Sequence, residues 1–284
     1  MSEKPDAVMH WKNPLAVDNA GAETISKSLL RGIQLRRRVA AGLALGTFVI
    51  EHPDPSTLAA LSLAGFDFVV LDMEHSALDF SGLEFLIVAG QAAGIAMLVR
   101  PWGEDAGLIG KILDMGANGI MVPRVETPER ARAVVEQARF APVGNRGFSP
   151  VTKYDSLTEP LAMMDEATFV VVQIEGQGAL ARVADIAAVP GIDAIFVGPY
   201  DLALSLGVAP GSAQVYAAAE RMAQSVPREI GLGIYIDDPA RSGEWAARRF
   251  ALQCISFDGR MLSSGARAVV TQARHGTAGK KRHD

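Results

Sequence analysis

Two carboxylate residues, Glu175 and Asp201, each follow an apolar, β-branched run and lie one strand–helix–strand unit apart in the chain. Neighbouring strands of a sheet lie about 4.8 Å apart, so carboxylates at two adjacent strand ends can share one hard cation. Two carboxylates, completed by water and substrate oxygens, describe a Mg²⁺ or Mn²⁺ site. Spacing alone leaves two other roles open, which are capping of the following helix and pairing with a nearby arginine.

Three further polar residues, Asp72, His75 and Arg100, stand at or just after the ends of apolar runs. A histidine titrates near neutral pH and is suited to proton transfer, and Asp72 could orient the ring of His75. Arg100 could bind a substrate oxyanion or pair with an acidic neighbour. The pattern leaves both roles of Arg100 open, and His75 could equally be a loop histidine bonded to backbone.

Lysine is absent from all the apolar runs that read as strands. A Schiff-base aldolase needs a lysine nucleophile, so that mechanism has no residue to carry it here. If the chain is an aldolase, a metal ion must therefore supply the electrophile.

The elements that must position these residues form a repeated pattern of strand and helix. Apolar runs occupy residues 43–50, 66–72, 95–100, 118–123, 168–175, 192–198, 231–236 and 252–257, and helical stretches occupy 55–65, 80–93, 104–116, 127–138, 178–188, 212–226, 239–249 and 260–273. The runs are mostly continuous rather than alternating in polarity, which is typical of parallel strands buried on both faces. Eight such repeats predict an α/β fold, a (β/α)8 TIM barrel with an N-terminal helical arm, whose active site lies at the C-terminal strand ends. A doubly wound open sheet is the alternative, but no GxGxxG motif follows any strand.

Composition narrows the class of protein. The net charge of −5 argues against a nucleic-acid binder, and no apolar run approaches the ~20 residues of a membrane span. A single cysteine excludes an intrachain disulfide, and the N-terminus lacks the apolar core of a signal peptide, so we expect a cytoplasmic protein. We expect residues 1–28 to form an N-terminal arm, which is irregular over 1–23 and continues into a helix that begins at Thr24 and runs to about Ala41. Residues 29–274 form the expected barrel, and 275–284 a polar tail.

Six motifs in order extend the argument: LDMEHS (71–76), VRPWGED (99–105), ILDMGANGIMVPRVET (112–127), APVGNRGF (141–148), VVQIE (171–175) and IAAVPGIDAIFVGPYDL (186–202). Over about residues 30–273 the chain resembles the metal-dependent (class II) 4-hydroxy-2-oxo-acid aldolase family. This family includes 2,4-dihydroxyhept-2-ene-1,7-dioate aldolase, 2-keto-3-deoxy-sugar-acid aldolases and macrophomate synthase, and belongs to the phosphoenolpyruvate/pyruvate barrel superfamily.

The resemblance implies a role for each matching residue. Glu175 and Asp201 would bind the metal, which would be Mg²⁺, Mn²⁺ or Co²⁺. His75 would be the catalytic histidine with Asp72 as its supporting acid, and Arg100 would contact the pyruvate oxygen. The substrate-binding residues would be Arg100, Gln173, Gly198, Pro199, Tyr200 and Asp201, with backbone amides around the last four holding the pyruvate carboxylate.

The activity implied is reversible cleavage of a 4-hydroxy-2-oxo acid to pyruvate, or a related 2-oxo acid, and an aldehyde, through an enolate that the metal stabilises. Alternatives are an acyl-CoA carbon–carbon lyase of the citrate-lyase-β or malyl-CoA type, and macrophomate-synthase-like decarboxylation of oxaloacetate with carbon–carbon bond formation. The resemblance also implies a homohexamer built as a trimer of dimers, in which residues 260–273 form the exchanged last helix. Neither nucleic acid nor membrane is an expected partner, and the aldehyde stays open.

Overall fold

The computed structural model of the protein describes residues 27–103, 107–148 and 161–278. Most of the expected N-terminal arm and residues 279–284 of the expected tail lie outside the described residues. So do residues 149–160, in the insertion between the fourth and fifth repeats, and residues 104–106, at the start of one predicted helix.

Eight parallel strands close into a barrel in which each strand pairs with the next and the eighth pairs with the first. The strands are β1 Ala44–Val49, β2 Phe68–Asp72, β3 Ala96–Arg100, β4 Gly119–Val122, β5 Phe169–Ile174, β6 Ala194–Val197, β7 Gly231–Ile236 and β8 Phe250–Phe257. The predicted TIM barrel is confirmed. In particular, β5 and β6 are neighbours in register, as the spacing of Glu175 and Asp201 requires.

Helices surround the barrel. They are α1 Lys27–Ala40, α2 Pro55–Leu63, α3 Phe80–Ala93, α4 Gly107–Asp114, α5 Pro128–Ala138, α6 Leu161–Ala167, α7 Gln177–Leu180, α8 Val183–Ala187, α9 Pro199–Leu206, α10 Ala213–Ser225, α11 Ser242–Ala247 and α12 Asp258–Ala278. Local signals account for several boundaries: Asp54, Asp79 and Thr127 each cap a helix N-terminus with the side chain. Within the described residues, no helix combines the length and apolar character needed to cross a membrane.

The hydrophobic core has two layers, one inside the barrel and one between the strands and the helices. The inner layer is aromatic, with the side chains of Phe48, Phe68, Phe169 and Phe196 filling the barrel. Gly46 leaves room for one of these rings, because a Cβ at this position would lie 2.3 Å from the ring of Phe68. A filled interior leaves the C-terminal ends of the strands, where the polar residues lie, as the place for a cavity.

Four short helices differ most from the sequence-based expectation. The predicted helix over 178–188 is divided into α7 and α8, and α6 and α9 were not predicted at all. These are short helices of four to eight residues, and so short a segment shows too few turns for an apolar periodicity to be recognised. The helix α9 matters most, since it begins at Pro199 and carries Asp201 in its first turn.

Asp258 connects the loop after β1 to the start of α12 at the barrel mouth. Its buried carboxylate accepts backbone N–H bonds from Ile50 (3.0 Å), Glu51 (3.2 Å) and His52 (2.6 Å). The loop after β1 is thereby held against the first residue of α12. This contact stabilises the side of the mouth where β1 and β8 meet.

Candidate active site

A cavity of about 350 Å³ opens at the C-terminal ends of the strands. Its lining includes all but one of the sequence-predicted site residues: His75, Arg100, Gln173, Glu175, Gly198, Pro199, Tyr200 and Asp201. The aromatic residues Phe48, Phe196, Tyr235 and Phe257, together with Ile50 and Arg260, complete the wall. Asp72 is the exception, since it lies beneath Arg100 rather than in the cavity lining.

Glu175 follows β5 directly and is almost fully buried. Its Oε2 atom accepts a hydrogen bond from the backbone N–H of Arg124 at 3.0 Å. Arg124 has a left-handed backbone conformation with φ of 52°, which is uncommon outside glycine, and strain of this kind is frequent at functional sites. Burial and the neighbouring Asp201 carboxylate raise the pKa of Glu175 to about 7.

Gly198 provides the space that Glu175 occupies. A Cβ at this position would lie 2.6 Å from Glu175 Oε1, closer than any normal contact. Only glycine fits at this position of the GPYDL motif, because a side chain there would block the Glu175 carboxylate, which extends from β5 toward the start of α9. A larger residue would displace the carboxylate from its place beside Asp201.

The residues fit a hard divalent cation. Two carboxylates share the site, and the side-chain oxygen Oε1 of Gln173 is buried and accepts no hydrogen bond from any described residue. Within the part of the chain that the structure describes, no cluster of three or more His, Cys, Asp or Glu side chains forms a metal site. A site of one or two carboxylates completed by water and substrate oxygens is the usual arrangement for Mg²⁺, rather than an all-protein cage.

Arg100 ends β3 and is buried against Asp72, which ends β2. Its Nε and NH2 atoms donate to the two oxygens of Asp72 at 2.9 and 2.6 Å, a bidentate pair with well-defined geometry. The guanidinium also lies over the ring of Phe48, 4.6 Å from the ring centroid. Asp72 and Phe48 thus fix the orientation of a permanent positive charge that lines the cavity.

The expectation that Asp72 orients His75 is not met in this geometry. Both oxygens of Asp72 bond to Arg100, and Oδ1 also accepts the backbone N–H of Glu74. The carboxylate beside the half-exposed ring of His75 belongs to Glu74, whose Oε2 lies 3.7 Å from Nε2.

Sequence reasoning passed over Glu74, although it precedes His75 in the LDMEHS motif. Besides His75, its carboxylate lies within 3.5 Å of Arg100 and 3.9 Å of Arg124. Glu74 therefore lies between His75, the residue expected to transfer the proton, and Arg100, the residue expected to bind the oxyanion. The signal that could have found it is its position, two residues after a buried strand end.

A second polar cluster lies at the rim, on the ends of β6, β7 and β8. Tyr200 donates to Asp237 Oδ2 at 2.5 Å, Tyr235 donates to Oδ1 at 3.2 Å, and Arg260 also bonds to Oδ1. Burial and the negative charge of Asp237 raise the pKa of both Tyr200 and Tyr235, so both hydroxyls stay protonated donors at neutral pH. We call these four residues the rim cluster; of them, the sequence predicted only Tyr200 as a site residue.

Residues 46–264 match the HpcH/HpaI aldolase/citrate lyase family. The matched segment covers most of the chain and includes the C-terminal ends of all eight strands. The chain belongs to this family. The family predicted from the six motifs is thereby confirmed, and membership of the HpcH/HpaI family makes the protein an enzyme, a carbon–carbon lyase.

Two curated relatives and a solved structure show how far the likeness extends. A 2-dehydro-3,6-dideoxy-6-sulfogluconate aldolase from Pseudomonas putida is 32% identical over 232 residues, covering 80% of this chain and 91% of the relative. A hydroxypyruvate/pyruvate aldolase from Rhizorhabdus wittichii is 34% identical over 232 residues, covering 78% and 91%. The crystal structure of an HpcH/HpaI aldolase from Desulfitobacterium hafniense has a TM-score of 0.77 at 27% identity, covering 84% of this chain and 96% of that one.

Proposed function

We propose that the protein catalyses the reversible aldol cleavage of a 4-hydroxy-2-oxo acid to pyruvate, or a related 2-oxo acid, and an aldehyde. The observation that carries the proposal is Glu175, which is buried beside Asp201 and lines an open cavity together with Asp201, Arg100 and His75. The relatives named as pyruvate and sulfogluconate aldolases support it.

A divalent cation, Mg²⁺, Mn²⁺ or Co²⁺, is part of the proposal, with Glu175 and Asp201 as its protein ligands. When bound, it would supply a Lewis acid that stabilises negative charge on the 2-oxo oxygen. The raised pKa of Glu175 supports this assignment, and so does the buried side-chain oxygen of Gln173, which accepts no hydrogen bond from the described residues. Together they describe an oxygen-rich site of concentrated negative charge.

The chain's own groups bind and orient the 2-oxo acid. Arg100 provides a fixed positive charge for the enolate oxygen, and Asp72 keeps the guanidinium in one orientation. The first turn of α9 leaves backbone N–H groups without intrahelical acceptors, and these suit the carboxylate of the substrate. Phe48 and Phe196 add an apolar, aromatic wall to the cavity.

His75 is the proposed group for proton transfer. In the cleavage direction it takes the proton of the C4 hydroxyl, the C4 oxygen forms the aldehyde carbonyl, and the C3–C4 bond breaks. The electron pair of that bond remains on C3 as the enolate, which is then protonated at C3 to give pyruvate. In synthesis the steps run in reverse. Glu74 lies where it would orient the ring and stabilise its protonated form.

The two alternatives differ in the second reactant. An acyl-CoA lyase has to bind the CoA phosphates, but the arginines lining the cavity in the described part of the chain are Arg100 and Arg260, and Arg100 is bonded to Asp72. Decarboxylation of oxaloacetate leaves the same enolate and uses the same residues. An aldehyde-dependent assay separates both from aldol chemistry.

Removal of the cation is the direct test. We expect chelation with EDTA to abolish two activities, the exchange of the C3 protons of pyruvate in deuterated water and the cleavage of a 4-hydroxy-2-oxo acid. Added Mn²⁺, Mg²⁺ or Co²⁺ should restore both. Full activity in excess chelator would rule out the metal, and exchange without aldol cleavage or synthesis, across a panel of aldehydes, would rule out the aldolase.

We also propose that the chain assembles into a hexamer, a trimer of dimers, through α12. From Leu262 to His275 every residue of this helix is exposed, including the apolar residues Leu262, Val269 and Val270. A helix that presents apolar side chains without packing on its own barrel suits a surface on a second copy. Light scattering should give six times the 30.1 kDa chain mass, and Val269→Glu with Val270→Glu should lower that mass. A monomeric wild type would contradict the proposal.

The remaining parts of the proposal concern context. We propose a cytoplasmic enzyme whose partners are the 2-oxo acid, the aldehyde and its own copies, with neither nucleic acid nor membrane. Residues 29–274 form the proposed catalytic unit, flanked by an arm over 1–28 and a tail over 275–284. The net charge of −5 supports the expectation on nucleic acid.

A further inference from the structure

Apart from the backbone of Tyr200, which belongs to the first turn of α9, the rim cluster of Tyr200, Tyr235, Asp237 and Arg260 plays no part in the chemistry described so far. Three of its members line the same cavity as Glu175 and Asp201, and Tyr200 directly precedes Asp201 in the chain. Its place at the open end of the cavity suits the part of a substrate that lies away from the reacting carbons. A side chain placed there could contact the aldehyde half of an aldol product.

The hydrogen bonds of the cluster leave one group available for a ligand. Both oxygens of Asp237 are occupied, Oδ2 by Tyr200 and Oδ1 by Tyr235 and Arg260. The guanidinium of Arg260 carries five N–H donors. It uses NH1 for Asp237 and also hydrogen-bonds to the hydroxyl of Tyr200. Its charge is partly balanced by Asp237, and these two contacts do not use all five donors.

Arg260 is also held in place. Its guanidinium lies 5.2 Å from the centroid of the Phe257 ring, and Asp237 bonds to it from the end of β7. An ion pair as exposed as this one contributes little to the stability of a fold. The contacts with Asp237 and Phe257 are therefore better explained as fixing the orientation of the guanidinium than as stabilising the fold. A planar guanidinium in a fixed orientation suits recognition of an oxyanion.

Of the arginines that line the cavity, Arg100 is buried in a bidentate pair with Asp72, whereas Arg260 is partly exposed at the rim. The two arginines are therefore suited to the two halves of the reaction. Arg100 is suited to binding the 2-oxo acid, and Arg260 lies where a second, separate negative charge can be bound.

We propose that Arg260 determines the specificity of the enzyme for its aldehyde by binding a terminal oxyanion, a carboxylate or a sulfonate, at the end remote from the carbonyl. The inference rests on the proposed aldolase function. The cavity of about 350 Å³ has room for a 2-oxo acid together with an aldehyde of a few carbons. Asp237 and the two tyrosines are positioning residues for the guanidinium.

Three aldehydes of similar length test the proposal in the Mn²⁺-loaded enzyme with pyruvate: succinic semialdehyde, 3-sulfopropanal and the neutral 4-oxobutanamide. The wild type should favour one or both anions over the amide in kcat/KM. Arg260→Met should raise the KM for the preferred anion by about tenfold or more, since a charge-assisted contact is lost, and should change the KM for 4-oxobutanamide less than about twofold. The two anions distinguish a carboxylate site from a sulfonate site.

Two controls isolate the guanidinium. Arg132→Met removes an exposed arginine that also has a single carboxylate partner, Glu129, and should leave all three KM values unchanged. The double variant Arg260→Met with Asp237→Asn removes both charges. If the preference for the anion returns in the double variant, the effect came from an uncompensated Asp237 and the proposal is overturned.

Exchange of the C3 protons of pyruvate separates this inference from the proposed function. The exchange needs no aldehyde, so it should persist in Arg260→Met at a rate close to that of the wild type. Loss of exchange in the wild type itself would refute the proposed function. Normal exchange, combined with equal treatment of anionic and neutral aldehydes by the wild type and Arg260→Met, would refute the role of Arg260 alone.

Discussion

Glu175→Gln will reduce Mn²⁺-dependent aldol cleavage by about a thousandfold or more and will weaken Mn²⁺ binding, while making the metal-free protein more stable at pH 8. The amide keeps the shape of the side chain and can still accept the N–H bond of Arg124, but it lacks the charge that a cation needs. The loss of activity and the gain in stability both follow from removing the negative charge of a carboxylate that is buried beside Asp201.

The pH dependence of that stability has a definite sign. The pKa of Glu175 is about 7 in the folded protein and about 4.5 when exposed, so the folded state favours the protonated form. The contribution of Glu175 to the free energy of unfolding is therefore greatest below pH 4.5, falls as pH rises toward 7, and is level above that. Glutamine escapes this loss, and we expect a gain of about 1–3 kcal/mol for the variant at pH 8.

Urea unfolding in EDTA at pH 5 and pH 8, together with Mn²⁺ titration, measures both effects. Asp165→Asn serves as the matched control, because burial also raises the pKa of Asp165 although it lies near Arg139, outside the cavity. The control should leave Mn²⁺ affinity unchanged. An unchanged Mn²⁺ affinity in Glu175→Gln would remove this residue from the set of metal ligands.

Arg100→Met should lower kcat by about 10²–10³-fold, the usual cost of removing a fixed donor to a developing oxyanion. The same change should lower the free energy of unfolding by about 3–5 kcal/mol, because it leaves Asp72 buried without its partner. Steady-state kinetics and chemical unfolding measure the two effects.

A double variant separates catalysis from folding. Arg100→Met combined with Asp72→Asn removes the buried charge as well as the arginine, so much of the stability should return while kcat stays low. Arg100→Lys keeps a charge but loses the bidentate geometry and should fall between the wild type and Arg100→Met. A double variant with near-wild-type kcat would show that Arg100 serves only to pair with Asp72.

Much of the architecture could be predicted because it is local in origin. A strand buried on both faces needs a continuous apolar run, and each of the eight runs became a strand within a few residues of its predicted limits. The short helices could not be predicted in the same way. The helix α9 follows β6 with a single residue between them, so the segment around Asp201 offered no amphipathic pattern to distinguish it from a loop.

The position of Glu175 and Asp201 at the cavity could be predicted from the sequence, because a charged residue close after a buried strand has to lie at the rim of a barrel. The six motifs likewise identified the HpcH/HpaI family. Only the tertiary structure decided which side chains pair at the strand ends. Asp72 bonds to Arg100 instead of His75, and Glu74 lies beside the histidine. Arg260, after β8, bonds to Asp237, which follows the neighbouring strand β7. The physical reason is that strand order determines which ends meet, whereas the pairing of side chains at those ends depends on distances of a few ångströms that no linear spacing encodes.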